Sequence, residues 1–247
     1  MSIDNRKGRI AARFGSAAST YDQSAALQAL VAGKLARRVM QRGVAPSPRV
    51  LDIGCGTGLL TKAMQAELPS ATFLATDLAP GQLTQARAGL GDKISYMGMD
   101  GEHPAIRDGS IDLVMSSLAA QWFQDPAQAM LRLASLLAPS GLLAVATLGP
   151  DSLSEWKDAH HLEGLRHGCP DYPPPGAYPG FTCEVEAVQM EYTDALDFLR
   201  ALRRIGATVP RAGHYPLSAG ALRRAAARLG ARPRITYQIL YLFRRNP

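Results

Sequence analysis

Cysteine is scarce: the 247 residues hold three, Cys55, Cys169 and Cys183. The number is odd, and the spacing is that of neither a metal knuckle nor a small disulfide framework. A disulfide-stapled secreted scaffold is thereby excluded, and a reducing, cytoplasmic setting is expected. Long apolar runs are also missing. No stretch reaches the ~18 uninterrupted apolar residues of a membrane-spanning helix. The basic start, MSIDNRKGRIAARF, lacks the apolar centre of a secretory signal. Acids are nearly absent late in the chain, where Asp197 is the only one after residue 194. Internal repeats and low-complexity tracts are absent too.

What is present describes a globular protein. Hydrophobic residues make up 47% and charged residues 19%, too apolar for a disordered chain. The length suits one α/β domain with insertions, with a core large enough to need no metal or disulfide. The net charge is +6 and the pI about 9.4, which favours acidic partners. The excess gathers late, at Arg200, Arg203, Arg204, Arg211, Arg223, Arg224, Arg228, Arg232 and Arg234. Any one of these arginines reads most simply as a solvated side chain. Together they suggest a surface.

The apolar period alternates between strand and helix. RVLDIG (49–54), ATFLATD (71–77), ISYMGMD (94–100), SIDLVMSS (110–117) and LLAVATLG (142–149) read as buried strands. Helices are expected between them at 59–68, 80–90 and 125–141, the last with Asp125 as N-cap and Pro126 at its first position. This rhythm predicts a doubly wound, mostly parallel sheet. Beyond it, 151–168 reads as a helix and the Pro-rich 169–181 as a loop. A strand at 183–192, two Arg-rich helices near 194–205 and 218–229, and a last strand at 234–245 complete the chain.

The strongest local signal is VLDIGCGTGLL. Gly54, Gly56 and Gly58 sit between a strand and a helix, with Asp52 just before them. Such a loop lets the backbone approach a ligand, and the helix presents free N–H groups. The third glycine comes one position too early for the nicotinamide fingerprint. Asp77 ends the second strand, where a carboxylate can hold a ribose diol. Asp100, in MDGE, ends the third, where a carboxylate can accept from an adenine amine. Asp77 also reads as a helix cap and Asp100 as a turn former. Three acids at successive strand ends favour a ligand, because doubly wound sheets bind ligands there.

VLDIGCGTG, TDLAPGQL and MDGE resemble the class I S-adenosylmethionine-dependent methyltransferases over roughly residues 45 to 150. The resemblance implies a Rossmann-like seven-stranded sheet whose last strand runs antiparallel. It implies S-adenosylmethionine as cofactor, with Asp52, Gly54, Cys55, Gly56, Gly58, Asp77, Leu78, Asp100, Gly101 and Ser117 around it. The flanks FGSAASTYDQSAALQALVAGKL, SSLAAQWFQDPAQAM, ATLGPDSL and YTDALDFLRALRRIGAT, with the ending TYQILYLFRR, resemble the malonyl-acyl-carrier-protein O-methyltransferases of biotin synthesis. In that family the free carboxylate of a malonyl thioester is esterified, which lets fatty-acid synthesis elongate it towards pimelate. The segment HHLEGLRHGCPDYPPPGAYPGF departs from the family pattern, being short and Pro-rich, and no carboxylate ligand is assigned within it.

The implied organisation is a single domain. An N-terminal lid segment (1–44) precedes a cofactor-binding core (45–150). Lid or insertion segments (151–182 and 194–232) alternate with closing strands (183–193 and 234–245). Tyr21, Gln121 and Trp122 are the candidates at the reacting centre. Tyr21 equally reads as a packed helix residue, and Trp122 as core. Arg203 and Arg204 are candidates for the substrate carboxylate or for an acidic acyl carrier protein. His160, His161 and His167 lack a metal-binding pattern, and no metal is expected. Neither nucleic acid nor a membrane span is expected, and the chain is taken as a monomer. Two alternatives stand beside this reading: a methyltransferase for a free acid such as trans-aconitate, and a complex I assembly-factor-like protein acting on a protein partner.

Overall fold

The structure is a computed structural model describing residues 3–205, 207, 209–210 and 213–247, except the side chains of 3–5, 17 and 19–24. Two helices open the chain, α1 (Ile3–Ser24) and α2 (Ala26–Arg42). The core follows as β1 (Arg49–Ile53), α3 (Leu59–Glu67), β2 (Thr72–Asp77), α4 (Pro80–Leu90), β3 (Ser95–Gly98), β4 (Ile111–Ser117), α5 (Pro126–Ser135) and β5 (Leu137–Leu148). Then come α6 (Ser154–Leu162), β6 (Thr182–Glu191), α7 (Ala195–Arg204), α8 (Ala219–Arg228) and β7 (Arg234–Arg245).

The seven strands form one sheet in the order β3-β2-β1-β4-β5-β7-β6. Neighbours among β1 to β5 are parallel, and β7 runs antiparallel to β5 and β6. This is the expected fold. Alternate residues feed the two faces: Leu142, Ala144 and Ala146 of β5 pack into one core, Leu143 and Val145 into the other. Both faces are covered, so central strands read as continuous apolar runs. Each such leucine contributes roughly 1.5–3 kcal/mol by burial. Strand order reverses between β1 and β4, which opens a crevice at the carboxyl ends of those strands.

Two helix expectations need correction. The helix expected over 125–141 ends at Ser135, and Leu137 already pairs with Ile111 as the start of β5. Residues Ala138 to Gly141 form a bulge in β5, with Ser140 at φ 62°. The apolar run LLAP suits helix or strand equally, and pairing to β4 decides it. The helix expected over 151–168 occupies only Ser154–Leu162. Ser152 and Leu153 are tied to β7 instead, through Gln238 and Thr236, and Gly164 at φ 64° follows the helix end. The third strand is also shorter than 94–100, at Ser95–Gly98. Among the described residues no helix is long and apolar enough to cross a membrane.

Candidate active site

The glycine loop lies at the crevice between β1 and β4. Gly54, Gly56 and Gly58 have φ of 66°, 57° and 92°, in the region that favours glycine. A Cβ on Gly54 would lie 2.4 Å from the Cβ of Ala119, so the loop sits directly against the segment after β4. A Cβ on Gly56 meets nothing closer than Gln82 Oε1 at 3.9 Å. Gly56 and its neighbours line a cavity bounded by the carboxyl ends of β1, β2, β3 and β4 and covered by α1.

Four acids surround this cavity: Asp52, Asp77, Asp100 and Glu102. Asp77 is held by the N–H groups of Gly56 (2.9 Å, to Oδ2) and Ala79 (2.8 Å, to Oδ1). It is therefore both the turn acceptor at the entry of α4 and an oriented cavity carboxylate. Burial pushes it up, against the N–H groups of Ala79, Gly56 and Leu78. Asp100 Oδ1 accepts from Glu102 N at 3.0 Å, and its Oδ2 lies 2.6 Å from Lys7 Nζ. Asp52 accepts from the Thr61 hydroxyl at 2.6 Å, while its other oxygen is buried with no hydrogen-bond partner. Ser117 Oγ and Gln82 Oε1 are likewise buried and unpartnered. Cys55, Leu78 and Gly101 also line the cavity. Burial, with the charges of Asp52 and Asp77, pushes the Cys55 thiol well up, which leaves it inert. Gly58 does not line the cavity; a Cβ there would meet Leu90 Cδ1 at 2.4 Å, so it serves packing of the loop on α4.

This donor and acceptor set fits S-adenosylmethionine. Unsatisfied buried acceptors at Asp52 and Gln82 suit a cationic amine, and Asp77 presents both oxygens on one rigid turn.

Burial pushes Asp52 up to about 7, with Asp77 adding to the rise and the Thr61 hydroxyl opposing it. The folded protein thus holds a proton that the unfolded chain, at a pKa of about 3.9, has already lost. Stability falls as pH rises between those values, and the cost persists above the upper one. Asp52→Asn is therefore expected to raise the Tm of the ligand-free protein more at pH 8 than at pH 5. An equal gain at both pH values would contradict a raised carboxyl.

A second cavity, of about 640 Å³, lies beyond the first. Trp122, Phe14, Leu118 and Gln28 border both. Trp122 belongs to a short helical turn, Ala120–Trp122, and meets Phe14 edge-on at 5.3 Å between ring centroids. Gln121 faces the second cavity alone; its amide donates to Leu118 O at 2.6 Å and accepts weakly from Thr147 at 3.4 Å. Leu118 and Leu153, on its wall, have φ of 52° and 60°. Such conformations are costly for leucine and concentrate at functional sites. His160, Tyr192 and Tyr237 are polar members of the lining, and the two tyrosine hydroxyls are 2.9 Å apart.

The two candidate arginines separate. Arg204 lines the second cavity, whereas Arg203 is exposed beside it and off the lining. Part of the late Arg cluster is paired: Arg224 and Arg228 with Glu163, Arg232 and Arg234 with Glu191. Arg211 and the Tyr21 side chain lie outside the described residues. Among the described residues no group of three His, Cys, Asp or Glu is arranged to hold a metal ion. Among the cavity residues that sequence reasoning missed are Lys7, Phe14, Gln82, Glu102 and Phe123. Glu102 had a signal in MDGE; Lys7 and Phe14 had none stronger than the pattern of α1.

A family model described as a methyltransferase domain matches residues 51–145. A malonyl-[acyl-carrier protein] O-methyltransferase of Magnetococcus marinus is 39% identical over 253 residues, covering 97% of this chain and 93% of that protein. The biotin biosynthesis bifunctional protein BioCD of Bordetella avium is 45% identical over 246 residues, covering 96% of this chain. The chain spans 52% of that bifunctional protein, about half its length. The YcgJ protein of Bacillus subtilis shares the fold, with a TM-score of 0.62 at 13% identity over 86% of this chain and 97% of that one. The near full-length match, on this sheet order and this cavity, places the chain in the malonyl-[acyl-carrier protein] O-methyltransferase family of S-adenosylmethionine-dependent class I methyltransferases.

Proposed function

We propose that this chain esterifies the free carboxylate of a malonyl thioester borne by an acyl carrier protein, in the pimeloyl branch of biotin synthesis. The observation that carries the reading is the 39% identity running through 97% of the chain, flanks included. The second cavity supports it, since it lies against the cofactor cavity with Trp122 between them.

When bound, the cofactor supplies a methyl group made electrophilic by a positively charged sulfur. In this reading Asp77 takes the ribose hydroxyls and Asp100 the adenine amine. Asp52 faces the cofactor's amino end. Cys55, Gly56, Leu78, Gly101 and Ser117 shape the walls. A malonyl carboxylate, which like other carboxylic acids titrates near about pH 4, is already ionised at neutral pH and needs no general base. That accords with Gln121, whose amide is tied to backbone and Thr147. The protein's task is to align the carboxylate oxygen with the methyl group and to exclude water. Alignment alone can supply roughly 7–11 kcal/mol. Trp122 and Phe14 set the wall for it. The reading takes the chain as one domain acting as a monomer.

Arg203 and Arg204 test the carrier. Arg203→Glu is expected to raise the KM for malonyl-carrier protein about tenfold and leave that for malonyl-coenzyme A unchanged. The reason is that Arg203 offers charge at the surface without lining the cavity. Arg204→Glu is expected to raise both. Equal response of the two substrates to Arg203→Glu removes the carrier from the proposal. Turnover of free dicarboxylates in preference to either thioester replaces it with a free-acid methyltransferase.

A further inference from the structure

Among the described residues lining the cofactor cavity, Lys7 of α1 is the only lysine or arginine. Its Nζ lies 2.6 Å from Asp100 Oδ2 and 2.7 Å from Glu102 Oε2. The Glu102 side chain is only 7% exposed, and a carboxylate buried to that degree needs compensation. Its other oxygen, Oε1, accepts from the N–H groups of Gln124 (2.8 Å) and Asp125 (3.0 Å). Those two residues directly follow Trp122 and Phe123. One ammonium therefore joins three pieces of the molecule: α1, the turn after β3, and the wall segment between the two cavities.

Further contacts seat α1 in the same place. Arg6 Nη1 donates to Trp122 O at 3.3 Å, and Gln82 Nε2 donates to Phe14 O at 2.9 Å. A Cβ on Gly81 would lie 2.8 Å from Gly15 O, so α1 crosses α4 in close backbone contact. Among the α1 side chains described, only Ile10 and Ala18 are buried. Over residues 6–16 the seat of α1 therefore leans on polar contacts, and a segment held in that way opens readily when they are lost.

We propose that Lys7 is a positioning residue: by pairing with Asp100 and Glu102 it latches α1 over the cofactor cavity and holds the wall that carries Trp122. The inference rests on the reading of this cavity as the cofactor site. With the latch closed, a cofactor leaves only after α1 lifts and Lys7 gives up both carboxylates. Asp100 keeps lone pairs free beside Lys7, so an adenine amine can share the carboxylate without breaking the latch.

The test uses the full chain and the probe S-adenosylhomocysteine. In ligand-free protein, Lys7→Met is expected to speed amide hydrogen exchange about tenfold across residues 6–14, leaving α3 and β1 unchanged. In the same variant S-adenosylhomocysteine should dissociate about tenfold faster by stopped flow. Lys7→Arg, which keeps the charge, should restore most of both. Unchanged exchange overturns the latch. Faster exchange with an unchanged dissociation rate overturns its link to the cofactor site. Titration of the unaltered chain with S-adenosylhomocysteine reads the cofactor site independently, since it does not depend on Lys7 being changed.

Discussion

Asp77→Ala is expected to weaken S-adenosylhomocysteine binding by about 100-fold or more, measured by isothermal titration. Two losses combine. The first is the acceptor for a ribose diol, where each hydrogen bond to a charged group contributes roughly 1.5–3 kcal/mol. The second is internal. Asp77 fixes the N–H of Gly56 at 2.9 Å and that of Ala79 at 2.8 Å. Without the carboxylate, the glycine loop and the entry of α4 lose their shared anchor. Two such bonds to the ligand correspond to a factor of about 100 or more. Asp77→Asn separates the two losses. Its carbonyl oxygen keeps one backbone anchor, but it presents a single acceptor, so an intermediate affinity is expected. If Asp77→Ala binds the probe like the wild type, Asp77 is only a turn cap.

Trp122→Ala is expected to lower kcat on a malonyl thioester about 100-fold while changing S-adenosylhomocysteine affinity less than about tenfold. Trp122 borders both cavities and meets Phe14 edge-on. Truncation joins the cavities, admits water, and leaves the acceptor free to tilt from the line of attack. Misplacement on the order of 1 Å can cost about 100-fold in rate. The bond from Arg6 goes to the backbone oxygen of residue 122, so that contact of α1 survives the substitution. Trp122→Phe keeps the edge-on ring contact with Phe14 and should recover most of the rate. A variant that loses cofactor affinity while keeping kcat would make Trp122 a wall of the cofactor cavity alone.

The sheet was legible because its central strands are buried on both faces. Mostly apolar runs such as RVLDIG and LLAVATLG stop at glycine, and an acid at the strand end marks the crevice. Asp52, Asp77 and Asp100 were readable on that basis, and all three line one cavity. The misread boundaries have a common cause. Leu137 joins β5 because Ile111 pairs with it, and Leu153 stays out of α6 because Thr236 takes its N–H. Partners so distant in sequence leave no local trace. Lys7 and Gln82 were missed for the same reason. Each acts across elements, Lys7 from α1 onto the turn after β3, Gln82 from α4 onto Phe14 O. Gln121 and Trp122 fall where the fourth strand ends, as the sequence suggested, but their surroundings differ. Gln121 lines the second cavity and bonds to backbone and Thr147, whereas Trp122 borders both cavities.

Methyl transfer to a malonyl carboxylate leaves a mass signature on the carrier. The most direct measurement is intact mass of malonyl-carrier protein after incubation with the enzyme and S-adenosylmethionine. A gain of one CH₂ unit on the malonyl arm is expected, reversed by mild base as an ester must be, with no gain on the acetyl-loaded carrier. Tight S-adenosylhomocysteine binding with no base-labile methyl on malonyl-carrier protein or malonyl-coenzyme A would contradict it.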